Sequence, residues 1–131
     1  MMGLLLACLL VACQKTTAQK TENMTISLFG NPTTGYSWFC EIADESVIQL
    51  ISEDYQSESD MTGAGGRFIF TFSYDQPGES EIVFVYRRPW ETEEPLYQLR
   101  YLIKVDAKLG FQFVAVSGEG FEEEVPQPHF E

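Results

Sequence analysis

From Met24 onward the apolar residues recur at every second position in short runs, separated by clusters of Gly, Pro, Asn, Asp and Ser. A two-residue period sends alternate side chains to opposite faces, which is the signature of half-buried β-strands. Met24, Ile26 and Leu28 share one face of a first strand, Met24 to Phe29, which stops at Gly30-Asn31-Pro32. Tyr36, Trp38, Cys40 and Ile42 share the inward face of a second strand, and Ser46 to Ser52 is a third. Glu53 to Gly66 reads as a long, mobile polar loop, and Arg67 to Tyr74 as a fourth strand with Phe68, Phe70 and Phe72 aligned. Asp75-Gln76-Pro77-Gly78 is a turn that predicts a hairpin with Glu81 to Tyr86. A loop begins at Arg87-Arg88-Pro89-Trp90 and closes at Pro95, and Leu96 to Val105 follows as a sixth strand. Strands of this length and spacing, with no helix-length apolar period, predict an all-β sandwich.

Both ends depart from that pattern. Gly3 to Ala12 is uncharged and apolar, and the chain turns polar at Cys13-Gln14-Lys15. The run is too short to span a bilayer and reads as an export signal over residues 1–12. Leu10-Val11-Ala12-Cys13 resembles a bacterial lipobox, with Cys13 as the lipidated residue and Cys8 as an alternative. Residues 13–23 are then a polar tether and 24–108 the folded domain. The expectation is an exported, membrane-anchored lipoprotein of the outer membrane, periplasm or cell surface. In residues 109–131, Phe111 to Val116 reads as an added strand covering a sheet edge or as the start of a truncated second copy, and Glu119 to Glu131 as a disordered acidic tail.

A chain of 131 residues fits one domain, and 44% hydrophobic with 14% aromatic residues supply enough apolar surface for a core. The net charge of -12 opposes nucleic acid and anionic lipid, so no nucleic-acid partner is expected and the membrane is reached through the lipid alone. With Cys13 modified, Cys40 is the free thiol of the mature chain, so packing rather than a disulfide must supply stability.

Catalysis finds no support. The single histidine, His129, lies in the tail, and the strand pattern buries Cys40, so no Cys-His pair forms. The acidic runs Glu91-Glu93-Glu94 and Glu122-Glu123-Glu124 are solvated surface without the spacing of metal ligands. No enzyme activity, cofactor or metal is expected.

Three loop motifs remain. In Asn31-Pro32-Thr33-Thr34-Gly35-Tyr36 the proline restricts φ, the glycine permits close backbone approach, and the Asn and Thr side chains can bond the local backbone. Gly63-Ala64-Gly65-Gly66 is a glycine cluster with no following helix to make a phosphate cradle. Arg88-Pro89-Trp90 sets a large aromatic on a polar loop, where an exposed tryptophan is a candidate binding anchor. Two strands separate successive motifs, so each pair returns the chain to the same end.

In this order the motifs resemble the chagasin family of cysteine-peptidase inhibitors, over roughly Met24 to Val105. The resemblance implies an immunoglobulin-like β-sandwich whose three loops enter the cleft of a papain-like peptidase. It implies peptidase contacts by Asn31, Pro32, Thr33, Thr34, Gly35 and Tyr36, by Gly63, Gly65 and Gly66, and by Arg88, Pro89 and Trp90. Thr33 and Thr34 would lie nearest the enzyme's cysteine, with Trp90 and the glycine loop on either side. Such an inhibitor is reversible, occludes without being cleaved, and acts as a monomer. A surface-adhesion module of the same fold is the alternative, and only the three loops distinguish the two.

Overall fold

The computed structural model describes residues 23–108, 110–120 and 124–131. The expected leader, Cys13 and the tether before Asn23 lie outside the described residues. Eight strands follow one another: β1 (Asn23–Gly30), β2 (Ser37–Ile42), β3 (Ile48–Ser57), β4 (Gly66–Tyr74), β5 (Gly78–Arg87), β6 (Tyr97–Asp106), β7 (Gly110–Glu119) and β8 (His129–Phe130). They form two antiparallel sheets, β3-β4-β1-β8 and β2-β5-β6-β7. The sheets pack face to face as an immunoglobulin-like sandwich.

The alternating residues of each strand meet in the middle. Met24, Ile26 and Leu28 of β1 and Phe70 and Phe72 of β4 face Ile82 and Phe84 of β5 and Leu99, Tyr101 and Ile103 of β6, all essentially solvent-free. Phe84 is the hub, its ring meeting Phe70 at 4.9 Å, Tyr101 at 5.5 Å and Phe72 at 6.2 Å, each edge-on. Edge-on pairs suit the aromatic quadrupole, and each buried large side chain stabilises the fold by about 1.5–3 kcal/mol over its exposed state. Cys40 faces inward, half-buried and packed against this core with Tyr36 and Ile42.

Three expectations are corrected. The turn at 75–77 does not close a hairpin, because β4 and β5 belong to different sheets. Side by side in one sheet, Phe70 and Phe72 would have had no Phe84 opposite them; crossing the core instead gives aromatics on both sides. Gly78, at φ 149°, begins β5 after the crossing. Second, β3 continues through Ser57, paired with β4 as far as Gly66, so the polar loop shortens to 58–65. Glu53 to Ser57 are polar because an edge strand keeps much of its surface in water, while Tyr55 still packs on Phe68 at 5.0 Å.

Third, the expected added strand runs longer, Gly110–Glu119, and the tail expected to be disordered packs on the sandwich over residues 124–131. β7 pairs with β6 from Asp106↔Gly110 to Gln98↔Glu119, and Phe111 is buried. His129 and Phe130 pair with Thr25 and Met24, and Asn23 and Glu131 exchange two backbone hydrogen bonds of 3.2 and 3.0 Å. The Tyr101 hydroxyl donates to the Pro126 carbonyl at 2.7 Å. Acidic composition disguised the tail after β7, where, among the described residues, Val125 and Phe130 pack against the core.

Candidate functional site

The three motifs fall on the connections β1–β2, β3–β4 and β5–β6. The pairings Gly30↔Gly66 and Ser37↔Arg87 bring all three to one end of the sandwich, as the two-strand spacing predicts.

The first connection is held by its own side chains. Pro32 to Thr34 make one 3-10 turn, begun by Asn31 and closed by Gly35. The Asn31 Oδ1 accepts from the Thr33 backbone at 3.2 Å and the Thr33 hydroxyl at 2.6 Å, while the Thr34 hydroxyl donates to the Asn31 carbonyl at 2.6 Å. Pro32 at the first helical position gives up no needed donor, and its ring presets φ. Gly35 sits at φ 86°, a left-handed conformation that side chains with a Cβ resist, and its N–H donates to the Pro32 carbonyl at 3.0 Å. Pro32, Thr33 and Thr34 project into solvent from this braced turn.

The neighbouring connections are tied to it. Asn31 Nδ2 donates to the Gly63 carbonyl at 2.8 Å, and Arg88 Nε donates to the Thr34 carbonyl at 3.0 Å. The Arg88 guanidinium also lies 4.5 Å over the Tyr36 ring and pairs with Glu91 at 3.1 Å. The group is planar, so one face can stack while its edge donates. Below the loops Tyr36, Trp38, Tyr86 and Tyr97 form a ladder, with centroid distances of 5.2, 4.9 and 5.6 Å for Tyr36–Tyr86, Trp38–Tyr86 and Tyr86–Tyr97. Tyr86 hydroxyl accepts from Asn31 N at 3.0 Å and Trp38 Nε1 donates to the Phe29 carbonyl at 2.9 Å, so the ladder also positions the backbone of the first loop.

The glycines differ in kind. Gly63 is exposed at φ 83° with open space around it. Gly65 rests on Phe29, where a Cβ would come 2.5 Å from the ring. Gly66 is buried as the first residue of β4, its Cα hydrogen side closed by the Gln56 carbonyl and the Tyr55 ring, so it lies beneath the surface that the other motif residues present. Pro89 and Trp90 are exposed, Trp90 by 68%, with the indole edge lying over Gly35.

Alternation along the strands did not reveal Phe29, Met61 and Leu96 as parts of this end, whereas Tyr86 and Glu91 flank Arg88-Pro89-Trp90 in the stretch that carries the family resemblance. Tyr86 reads as core by its period, and only the contact between its hydroxyl and Asn31 shows its second task. Phe29, Met61, Trp90 and Leu96 are four of the six large apolar residues that remain exposed among the described residues. All four lie at the loop end, in β1's last turn of sequence and in the β3–β4 and β5–β6 connections. Such a concentration of exposed apolar surface marks a contact site for another macromolecule. Among the described residues no group of three or more His, Cys, Asp or Glu is arranged to hold a metal.

A family model described as Chagasin family peptidase inhibitor I42 matches residues 17–105. Amoebiasin-1 of Entamoeba histolytica is 40% identical over 76 residues, 56% of this chain and 72% of the relative. Chagasin of Trypanosoma cruzi is 31% identical over 74 residues, 53% of this chain and 67% of the relative. The crystal structure of a cysteine protease inhibitor from Entamoeba histolytica superposes with a TM-score of 0.55 at 31% identity, over 60% of this chain and 75% of that one.

Proposed function

The chain belongs to the chagasin family of peptidase inhibitors, and from that premise we propose that it inhibits papain-like cysteine peptidases reversibly by closing their active-site cleft with its three joined loops. The observation that carries the reading is the bond set Asn31–Gly63 and Thr34–Arg88, which makes one preformed surface of three connections. A preformed surface gives up little conformational freedom on binding, so more of the contact energy appears as affinity. Pro32, Thr33 and Thr34 stand at its centre, Trp90 on one flank, and Gly63 with Met61 on the other. A 3-10 turn with every near donor engaged does not offer the extended backbone that a peptidase cleaves, which supports inhibition without turnover. An adhesion module is not favoured, since the family is one of peptidase inhibitors and not of enzymes or adhesins.

Titrating the purified domain into papain, following residual activity and the inhibitor's mass, tests this reading. Tight inhibition by intact protein is the expected result; a folded domain without effect at micromolar concentration overturns it.

Export and lipid attachment at Cys13 belong to the same reading, supported by the apolar run Gly3 to Ala12 and by Leu10-Val11-Ala12-Cys13. Labelling of the wild-type chain but not of Cys13→Ser by a radioactive fatty acid in a bacterial host is the expected outcome.

A further inference from the structure

The peptidase-facing loops occupy one end of the sandwich, and both ends of the described chain leave from the other. β1 runs from Asn23 to Gly30, so Gly30 enters the first loop while Asn23 lies at the opposite end, paired with Ser73. Glu131 is bonded to Asn23 in both directions, which brings the C-terminus to the same place. Eight residues of strand at ~3.3 Å each separate the two ends by roughly 25 Å. Between residue 13 and Asn23 the covalent reach, at ~3.3–3.6 Å per residue, is at most roughly 35 Å. The end where Asn23 and Glu131 meet carries Asp44, Glu45, Asp75 and Asp106 against Lys108 in its turns and strand ends, and the whole chain has a charge of -12, so an anionic lipid surface repels it.

We infer that this protein is built to inhibit while attached: a surface holding it through residue 13 leaves the Pro32–Thr34, Gly63 and Trp90 end directed outward and open to a soluble peptidase. This rests on the inhibitor reading above. The opposition of the two ends is a property of β1 and β8 together. β8 fastens Glu131 beside Asn23, so neither end of the described residues lies across the loops.

The test couples the chain to phosphatidylcholine vesicles bearing a maleimide lipid and measures inhibition of soluble papain, with free protein alongside. A Cys8→Ser chain is coupled through Cys13, and a Cys8→Ser, Cys13→Ser, Met61→Cys chain through the loop end; a Cys8→Ser, Cys13→Ser chain that stays uncoupled checks that Cys40 does not react. Coupling through Cys13 is expected to leave the inhibition constant within about threefold of the free protein. Coupling through the Met61→Cys variant is expected to weaken it more than tenfold against the same variant in solution. Tenfold weakening on coupling through Cys13, or equal constants for the two coupling sites, overturns the orientation while free protein still inhibits. Free protein that does not inhibit removes the inhibitor reading, and this proposal with it.

Discussion

The Trp90 indole lies against Gly35, so closely that a Cβ built on Gly35 would come 2.5 Å from Cη2. The contact joins the β1–β2 and β5–β6 connections through a position where any side chain would displace the ring.

Gly35→Ala therefore meets two obstacles, the crowded indole and the φ of 86°. The backbone term costs about 1–2 kcal/mol. Inhibition of papain should weaken by more than the loss of stability explains. Parallel thermal melts and inhibition constants separate the two, and an unchanged constant would show that the Trp90 position is immaterial.

Trp90→Ala isolates the anchor itself. Because the side chain is 68% exposed, the melting temperature should stay within about 1 °C, while inhibition weakens by about 2 kcal/mol, close to thirtyfold. Equal inhibition by variant and wild type would take Trp90 out of the contact.

Asn31 braces the turn with Oδ1 and latches the glycine loop with Nδ2. Asn31→Asp keeps the first task and turns the second into a carboxylate facing the Gly63 carbonyl. Asn31→Ala loses both and should cost about 1 kcal/mol of stability. If the joining of loops matters for affinity, the Asp variant melts near wild type yet inhibits several-fold less well; wild-type inhibition by the Asp variant would separate the latch from affinity.

Removal of residues 109–131 strips β7 from β6 and β8 from β1, exposing Tyr101 and the β6 edge. A loss of a few kcal/mol in denaturant unfolding is expected. Phe130→Ala, which keeps β7, should lose part of that through its contacts with the core and with the Phe111 ring at 6.5 Å. Unchanged midpoints for both chains would make the segment an ornament of the fold.

Burial, with Glu53 and Glu41 adding repulsion, pushes the Cys40 thiol up from 9.0 to about 12. The folded thiol therefore stays protonated where an unfolded one ionises. Below about pH 9 both states hold the proton and stability is indifferent to this group; between about 9 and 12 the unfolded chain loses it first, so stability falls as pH rises. In a Cys8→Ser, Cys13→Ser chain, Ellman's reagent at pH 8 should react slowly in buffer and at once in denaturant. Prompt reaction in buffer would place the thiol in solvent.

Much of this protein was legible in order along the chain. Alternation from Met24 to Val105 located the strands and their inward residues, except for the polar Glu53 to Ser57 half of β3, because a sheet with one dry face imposes a two-residue period. The loop motifs were legible too, since Pro32 and Gly35 are demanded by the turn they make. The two-strand spacing even determined that the motifs share an end. What local pattern cannot carry is which strands are neighbours. Asp75 to Gly78 has the composition of a hairpin turn, and only the opposition of Phe70 and Phe72 to Phe84 decided that the chain crosses between sheets. Likewise His129 and Phe130 are strand only because β1 offers an edge there, and Arg88 joins Thr34 only because the chain returns after a sequence separation of 54. Such contacts belong to residue pairs far apart in sequence, so their energies leave no mark on either segment read alone.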